Sequence, residues 1–363
     1  MNTISITKNY LTTITIVLLT GAMSLLAQKV PQVPADAMAP MDSTFDKPLK
    51  NGIAMVYGDN YQGSIALFDS LQKVYPAHPA PYFYMAASYQ AWMGSYRINK
   101  FQKKLEDNVE FAIEKGNDLI EKNPADPWLN FYVGAAYGYR AFNRFRNSNW
   151  IGAYFDGRKG IGNFEKSLEK EETLYDVYLG LGSYYYWRTA RSKFIRAVAF
   201  WMRDKRKEGL KQIEFSIKHG RYCPPESIFG LVIALYDDEQ YDKAYSILNT
   251  YMEDEQQNII SGLYLRGLLE AQRQDWTKTR ELFTKILTRL ESHQYQSIGY
   301  QVECKYWLAL AAQKQNDLEN AKKLATEARA MSKKRNKDVE LEGPIFEFNA
   351  IMDRLKELEK QLG

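Results

Sequence analysis

At 363 residues the chain is long enough for one repeat array or for two globular domains. It is 45% hydrophobic and 25% charged, an ordinary composition for a folded protein apart from its 26 tyrosines. The net charge of +4 is modest and strand signals are sparse, which leaves an all-helical chain as the reading.

Residues 1–27 read as a secretory signal peptide. Lys8 supplies the positive start, and Tyr10 to Ala27 carries no charge and contains Ile14-Thr15-Ile16-Val17-Leu18-Leu19. Ala27 offers a small residue for cleavage before Gln28. An uncleaved membrane anchor is the alternative, because the run is about long enough to span a bilayer. Thr12, Thr13, Thr15 and Thr20 dilute the run and Gly21 interrupts it, which favours cleavage near Ala27 and export to the periplasm or beyond. With no Cys near Ala27, a lipoprotein anchor is not expected. Residues 28–44 hold Pro31, Pro34 and Pro40 and read as a Pro-rich tether.

From residue 45 to 339 the pattern is one of paired helices. Phe45 to Tyr75 forms a first pair, with Asn60 and Gly63 at its turn. Pro76, Pro79 and Pro81 break the chain before the next helix. Three long units follow, anchored at Tyr82, Asn130 and Tyr178, 48 residues apart. Each repeats an apolar residue (Met85, Val133, Leu181), a small one (Ala86, Gly134, Gly182) and a tyrosine (Tyr89, Tyr137, Tyr185). Apolar and tyrosine positions lie four apart and share one helix face. The small residue lets a neighbouring helix approach. Each unit closes on a second helix with a small position and another four later: Ala112 and Gly116, Gly160 and Phe164, Gly209 and Ile213. Gly116 stands where a large residue is expected. Asp126 and Pro127 mark one helix start, and Cys223-Pro224-Pro225-Glu226-Ser227 marks another boundary. Asp237 to Gln240, Gln274-Asp275 and Gln315 to Asp317 read as tight turns within three further pairs. Residues 340–363 end in a helix with Ile345, Phe348, Ile351, Met352, Leu355 and Leu358 at helical spacing. It reads as a cap over the last pair, with a coiled-coil partner helix as the runner-up.

This small/large order over two helices resembles the tetratricopeptide repeat (TPR) family. Seven units in phase cover most of the chain. The resemblance implies a right-handed α-solenoid of about seven TPR-like helix pairs, units two to four extended, ending in a capping helix. It implies a non-enzymatic protein-binding scaffold, and the signal peptide makes this an exported bacterial TPR protein. In such a solenoid each pair is expected to touch only its neighbours. That expectation keeps Cys223 and Cys304 apart as free, buried thiols rather than a disulfide.

Groupings that carry enzyme chemistry are missing from the sequence. His78, His219 and His293 fall in different units, and none lies within four residues of a Cys or another His. No phosphate-binding glycine loop or nucleophile motif is present, so no catalytic residue, metal or cofactor is expected. Asp237 and Asp238, like Glu171 and Glu172, read as solvated turn residues.

The distinctive feature is a basic and aromatic concentration. Residues 127–223 hold 18 Lys or Arg against 9 Asp or Glu. Tyr139, Arg140, Arg144 and Arg146 crowd one helix end, and Trp187, Arg188, Arg191 and Lys193 crowd the aligned end of the next. These eight are the candidate ligand-binding residues, a groove for an acidic or carboxylate-bearing protein or peptide in the cell envelope. A solvated charged face over an aromatic core is the plain alternative. An anionic envelope glycan fits the same chemistry. Nucleic acid is not expected, since it conflicts with export. The apolar run from Phe194 to Met202, flanked by basic residues and including Trp201, suits contact with a membrane surface. Its alternative is an inserted helix that buries itself against unit three, where Trp150, Ile151, Tyr154 and Phe155 occupy the aligned place.

Overall fold

The computed structural model describes residues 43–147, 149–190 and 204–363. The expected signal peptide, nearly all of the tether, and Arg191, Lys193, Phe194 and Trp201 lie outside the described residues.

Among the described residues seven helix pairs follow one another, with one short extra helix, Asp254–Asn258, between pairs five and six. Pair one is Ser43–Tyr57 with Tyr61–Val74, pair two Pro79–Tyr96 with Gln102–Lys122, and pair three Pro127–Arg146 with Trp150–Lys170. Pair four is Val177–Ala190 with Arg206–His219, pair five Pro224–Asp237 with Tyr241–Tyr251, pair six Ile260–Gln272 with Trp276–Ser292, and pair seven Ile298–Lys314 with Leu318–Ser332. The final helix, Phe348–Leu362, lies on pair seven through buried Ile351, Leu355 and Leu358. Each helix packs on the next, so the chain is an all-α solenoid. Among the described residues no strand occurs, and a single isolated bridge joins Ile98 to Glu340.

Pairs one, five, six and seven turn in the same way. Asp59, Glu239, Gln274 and Asn316 each take the left-handed conformation that closes a helix end. The following residue, Asn60, Gln240, Asp275 or Asp317, returns its N–H to a carbonyl five residues back, at 2.8 to 3.0 Å. Asn60, Asp275 and Asp317 then cap the second helix with their side chains. Arg97 holds the same left-handed place in pair two, and Ile98 makes the equivalent bond to Met93 at 3.0 Å. There the chain runs on through Asn99 and Lys100 before the second helix begins.

Small residues set the spacing within the long pairs. A Cβ on Gly134 would stand 3.0 Å from the Gly160 carbonyl, and one on Gly209 would stand 2.5 Å from the Gly182 carbonyl. The helices of pairs three and four therefore meet backbone to backbone. Gly116 has its own reason: a Cβ there would stand 2.4 Å from Val133 of the next pair. Cys223 and Cys304 are free and buried.

The expectation that each pair touches only its neighbours is wrong. The coil is tight enough to close on itself. Asp46 of pair one takes Arg221 Nε at 2.8 Å and the Tyr222 hydroxyl at 2.7 Å. Tyr96 of pair two stacks on His293 with centroids 3.8 Å apart, and Ser95 meets Ser261 at 2.9 Å. Arg97 reaches Glu303 of pair seven at 2.5 Å, while Leu341 donates its N–H to the Arg97 carbonyl at 2.9 Å. Three helices, Pro79–Tyr96, Pro224–Asp237 and Ile298–Lys314, carry buried residues all round, as helices packed on both faces do. The concave side is thus largely filled by the chain's own side chains.

Candidate functional site

Of the eight residues expected to form one groove, the six that are described divide between two surfaces. Arg140 lies outside, held by a bidentate pair to Asp156 (2.9 Å for both bonds) and by Glu110 at 2.8 and 2.6 Å. Burial works against its charge, and the two carboxylates outweigh that and raise its pKa. Arg144 joins the same buried Asp156 at 2.9 Å. Both arginines are therefore neutralised within the fold. Arg146 lies over the Phe142 ring, 5.8 Å from its centroid, and its pKa is lowered by burial. Arg188 lies over Tyr184 and Tyr185 at 5.7 and 5.2 Å, and half-buried Trp187 meets Tyr186 edge to face. Tyr139 points the other way, into the coil, where its hydroxyl donates to Glu226 Oε1 at 3.2 Å.

Trp150, Ile151, Tyr154 and Phe155, which occupy the place aligned with the apolar run at 194–202, lie on the surface. Ile151 is 74% exposed and Trp150 54%, and Tyr154, Phe155 and Phe142 are exposed with them. Phe142 lies on Pro127–Arg146, and the other four sit on the first turns of Trp150–Lys170, whose other face, through Asp156, Gly160, Ile161 and Phe164, meets the core. Trp150 is braced edge to face on Phe145 at 4.6 Å, and Tyr154 on Phe155 at 5.6 Å. Arg158 and Lys159 follow on the same exposed side. Between residues 138 and 162 the one carboxylate in the sequence is Asp156, which is buried under the two arginines. An aromatic surface with a basic rim results.

Inside the coil lies a cavity of about 260 Å³, walled by pairs one, two, three, five, six and seven and by Pro344. Tyr57 and Phe229 stack across it at 5.7 Å. Glu226 and Tyr139 retain some surface, yet protein surrounds them, so the surface they keep faces the cavity. Burial raises the Glu226 pKa, and the Tyr139 hydrogen bond offsets part of that. Burial, with Glu226 beside it, pushes the Tyr139 phenol well up. At the opposite wall Arg97 is 4% exposed, with its guanidinium 3.7 Å from the Tyr300 centroid and 4.8 Å from that of Tyr264. Glu303 neutralises it and also accepts from the Tyr264 hydroxyl at 2.9 Å. Arg97 Nη2 and Gln90 Oε1, on two residues that line this cavity, are sealed from solvent without a hydrogen-bond partner.

None of Arg97, Gln90, Glu226, Tyr57 and Phe229 was singled out from the sequence. They come from three separate pairs, and the closure that gathers them has no local pattern. One signal was present: Pro79–Tyr96 contains no charged residue on any face, and Arg97 is the first charge after it. Among the described residues no group of three or more His, Cys, Asp or Glu is placed to hold a metal. No helix of the described residues is long and apolar enough to cross a membrane.

No protein-family model matches the chain, and no curated protein matches its sequence. Solved structures similar to it include a thermophilic TPR protein of Thermus thermophilus, at 16% identity and a TM-score of 0.39, covering 62% of this chain and 96% of that one. The C-terminal part of a TPR repeat-containing protein of Cytophaga hutchinsonii matches at 16% identity and a TM-score of 0.38, covering 80% and 97%. Yeast Tom70 matches at 12% identity and a TM-score of 0.28, covering 86% and 81%. The solved structures that this chain is similar to are TPR repeat proteins.

Proposed function

We propose that the chain is a non-enzymatic scaffold of the bacterial cell envelope that docks an acidic protein partner on the aromatic and basic face of pair three. The observation that carries this reading is the exposure of Phe142, Trp150, Ile151, Tyr154 and Phe155 together. A contiguous group of large apolar side chains rimmed by charge is what a docking face presents. Aromatic rings supply the area that dominates such contacts. Arg146, Arg158 and Lys159 set the sign of the rim, and no exposed carboxylate opposes them between residues 138 and 162. Arg140 and Arg144 act differently: they hold the face through Asp156 and have little charge left for a partner.

The test is affinity capture from cell envelopes with the tagged chain beside a Trp150→Glu/Phe155→Glu variant, after circular dichroism shows equal helicity. The reading expects a discrete acidic protein, retained at moderate salt by its apolar contacts, which the variant loses. Equal recovery by both would move the docking surface elsewhere. Sedimentation with phosphatidylglycerol vesicles, lost in the same variant, would replace a protein partner by a membrane surface.

A further inference from the structure

The cavity inside the coil lies apart from the docking face and has a chemistry of its own. Its walls are tyrosine and phenylalanine faces, whose electron-rich surfaces attract cations. Two formally charged side chains line it, Arg97 and Glu226. The Arg97 charge is matched by Glu303 at 2.5 Å. Among the described residues no Lys, Arg or His pairs with Glu226, whose recorded side-chain partner is the Tyr139 hydroxyl. The uncompensated charge that this space can carry is therefore negative.

The hydrogen-bonding inventory is equally lopsided. Glu226 has acceptor capacity beyond the Tyr139 bond, and Gln90 Oε1 accepts from no donor. Arg97 Nη2 has nothing to donate to. A buried polar atom left this way costs stability until something fills it. The Gln90 and Arg97 atoms are sealed behind the lining, so the polar group that an occupant can reach is the Glu226 carboxylate, which calls for N–H donors. A second anion beside Glu226 and Glu303 would add an unpaired charge to the interior. Some 260 Å³ is below the range of drug-sized sites, which sets the occupant's size.

We propose that the cavity is a binding site for a small organic cation, an amine with a flat apolar body. The amine meets Glu226 among the faces of Tyr57, Tyr139 and Phe229. Burial already raises the Glu226 pKa, and an ammonium group beside it favours the ionised carboxylate.

Three probes share one body and differ in charge: tyramine, 4-ethylphenol and 4-hydroxyphenylacetate. Titration calorimetry on the purified chain should find tyramine bound at least tenfold more tightly than 4-ethylphenol, and the anion weakest. Glu226→Gln keeps the shape and an acceptor for Tyr139, so it should remain folded. It should bring tyramine and 4-ethylphenol to within about twofold of each other. Ala91→Phe, on a lining residue of the same cavity, should abolish binding of all three while helicity is unchanged. Equal binding of the three probes, a preference for the anion, no binding of tyramine at millimolar concentration, or tyramine binding that survives Ala91→Phe would each overturn the proposal.

Discussion

Arg140 and Arg97 are both arginines at the end of an aromatic helix, and the fold treats them differently. Arg140 finds its carboxylates locally, in Asp156 of its own pair and Glu110 of the pair before. Four hydrogen bonds engage four of its five donors, and it becomes a brace under the exposed rings of pair three. Arg97 finds Glu303 some two hundred residues away, across the closure of the coil, and is held between the rings of Tyr264 and Tyr300. One of its nitrogens is left without an acceptor, sealed in the wall of the cavity. Outside, charge that looks available in the sequence is already used. Inside, a residue with no sequence pattern retains an open donor. Local charge counts therefore describe the outer face poorly and the interior not at all.

The sharpest way to break this comparison is to remove the distant carboxylate. Glu303→Gln leaves the buried Arg97 charge without its partner and should cost about 3–5 kcal/mol, read as a lowered urea midpoint. Replacing both groups, Arg97→Met with Glu303→Leu, should cost less than the single change, because no buried charge is then stranded. A loss under about 1 kcal/mol for Glu303→Gln would mean that packing alone closes the coil. On the outer face Asp156→Asn is the matching experiment. Asp156 is buried and takes both Arg140 and Arg144, so its loss should cost about 2–4 kcal/mol. It should also loosen the face that carries Trp150, and a quenched or shifted Trp fluorescence would report that.

The helix pairs were legible because their signals are local. Asp126 before Pro127, and Asn60, Asp275 and Asp317 at the turns, act within four residues of themselves. The small positions Gly134, Gly160, Gly182 and Gly209 were equally visible, since backbone contact at a fixed place in each pair needs them. The closure was not legible. Tyr96 on His293 and Asp46 on Arg221 depend on the accumulated angle between successive pairs, and no single pair encodes that angle. The basic cluster was legible as composition and misleading as a site. Asp156 sits sixteen residues from Arg140, and only the fold shows that it lies beneath it. The exposure of Trp150 to Phe155 was not legible either, because alignment between units says nothing about which face the core covers.

Asp46 sharpens the comparison from a half-exposed place, since its seam between pairs one and four is wet where the Arg97 seam is dry. Arg221 holds its carboxyl down at about 2, with help from Tyr222 and Lys50, against the opposing effect of burial. An unfolded Asp titrates near 3.9. A carboxyl whose folded pKa is depressed stabilises the fold above the unfolded value, and that contribution disappears as pH falls through the folded one. Asp46→Asn should therefore cost about 1–2 kcal/mol near neutrality once solvent screening is allowed for. The gap between parent and variant should shrink between about pH 4 and pH 2. A gap independent of pH would assign the effect to the Tyr222 hydrogen bond rather than to charge.

The smallest expected change in stability is the most telling for the outer face. Phe155 is 59% exposed and meets only Tyr154 among the recorded ring contacts. Phe155→Ser removes little buried area, so stability should move by less than about 0.5 kcal/mol. A ring kept in water gains nothing from the fold, and in an isolated chain its replacement by a polar residue should go unnoticed. A docked partner would change that, because the ring would then lie in the dry centre of an interface, where such residues dominate the affinity. Phe155→Ser should thus leave the urea midpoint where it was and weaken partner capture severalfold. A fall in the midpoint of 2 kcal/mol or more would show the ring to be part of the core after all, and would remove the basis for a docking face on pair three.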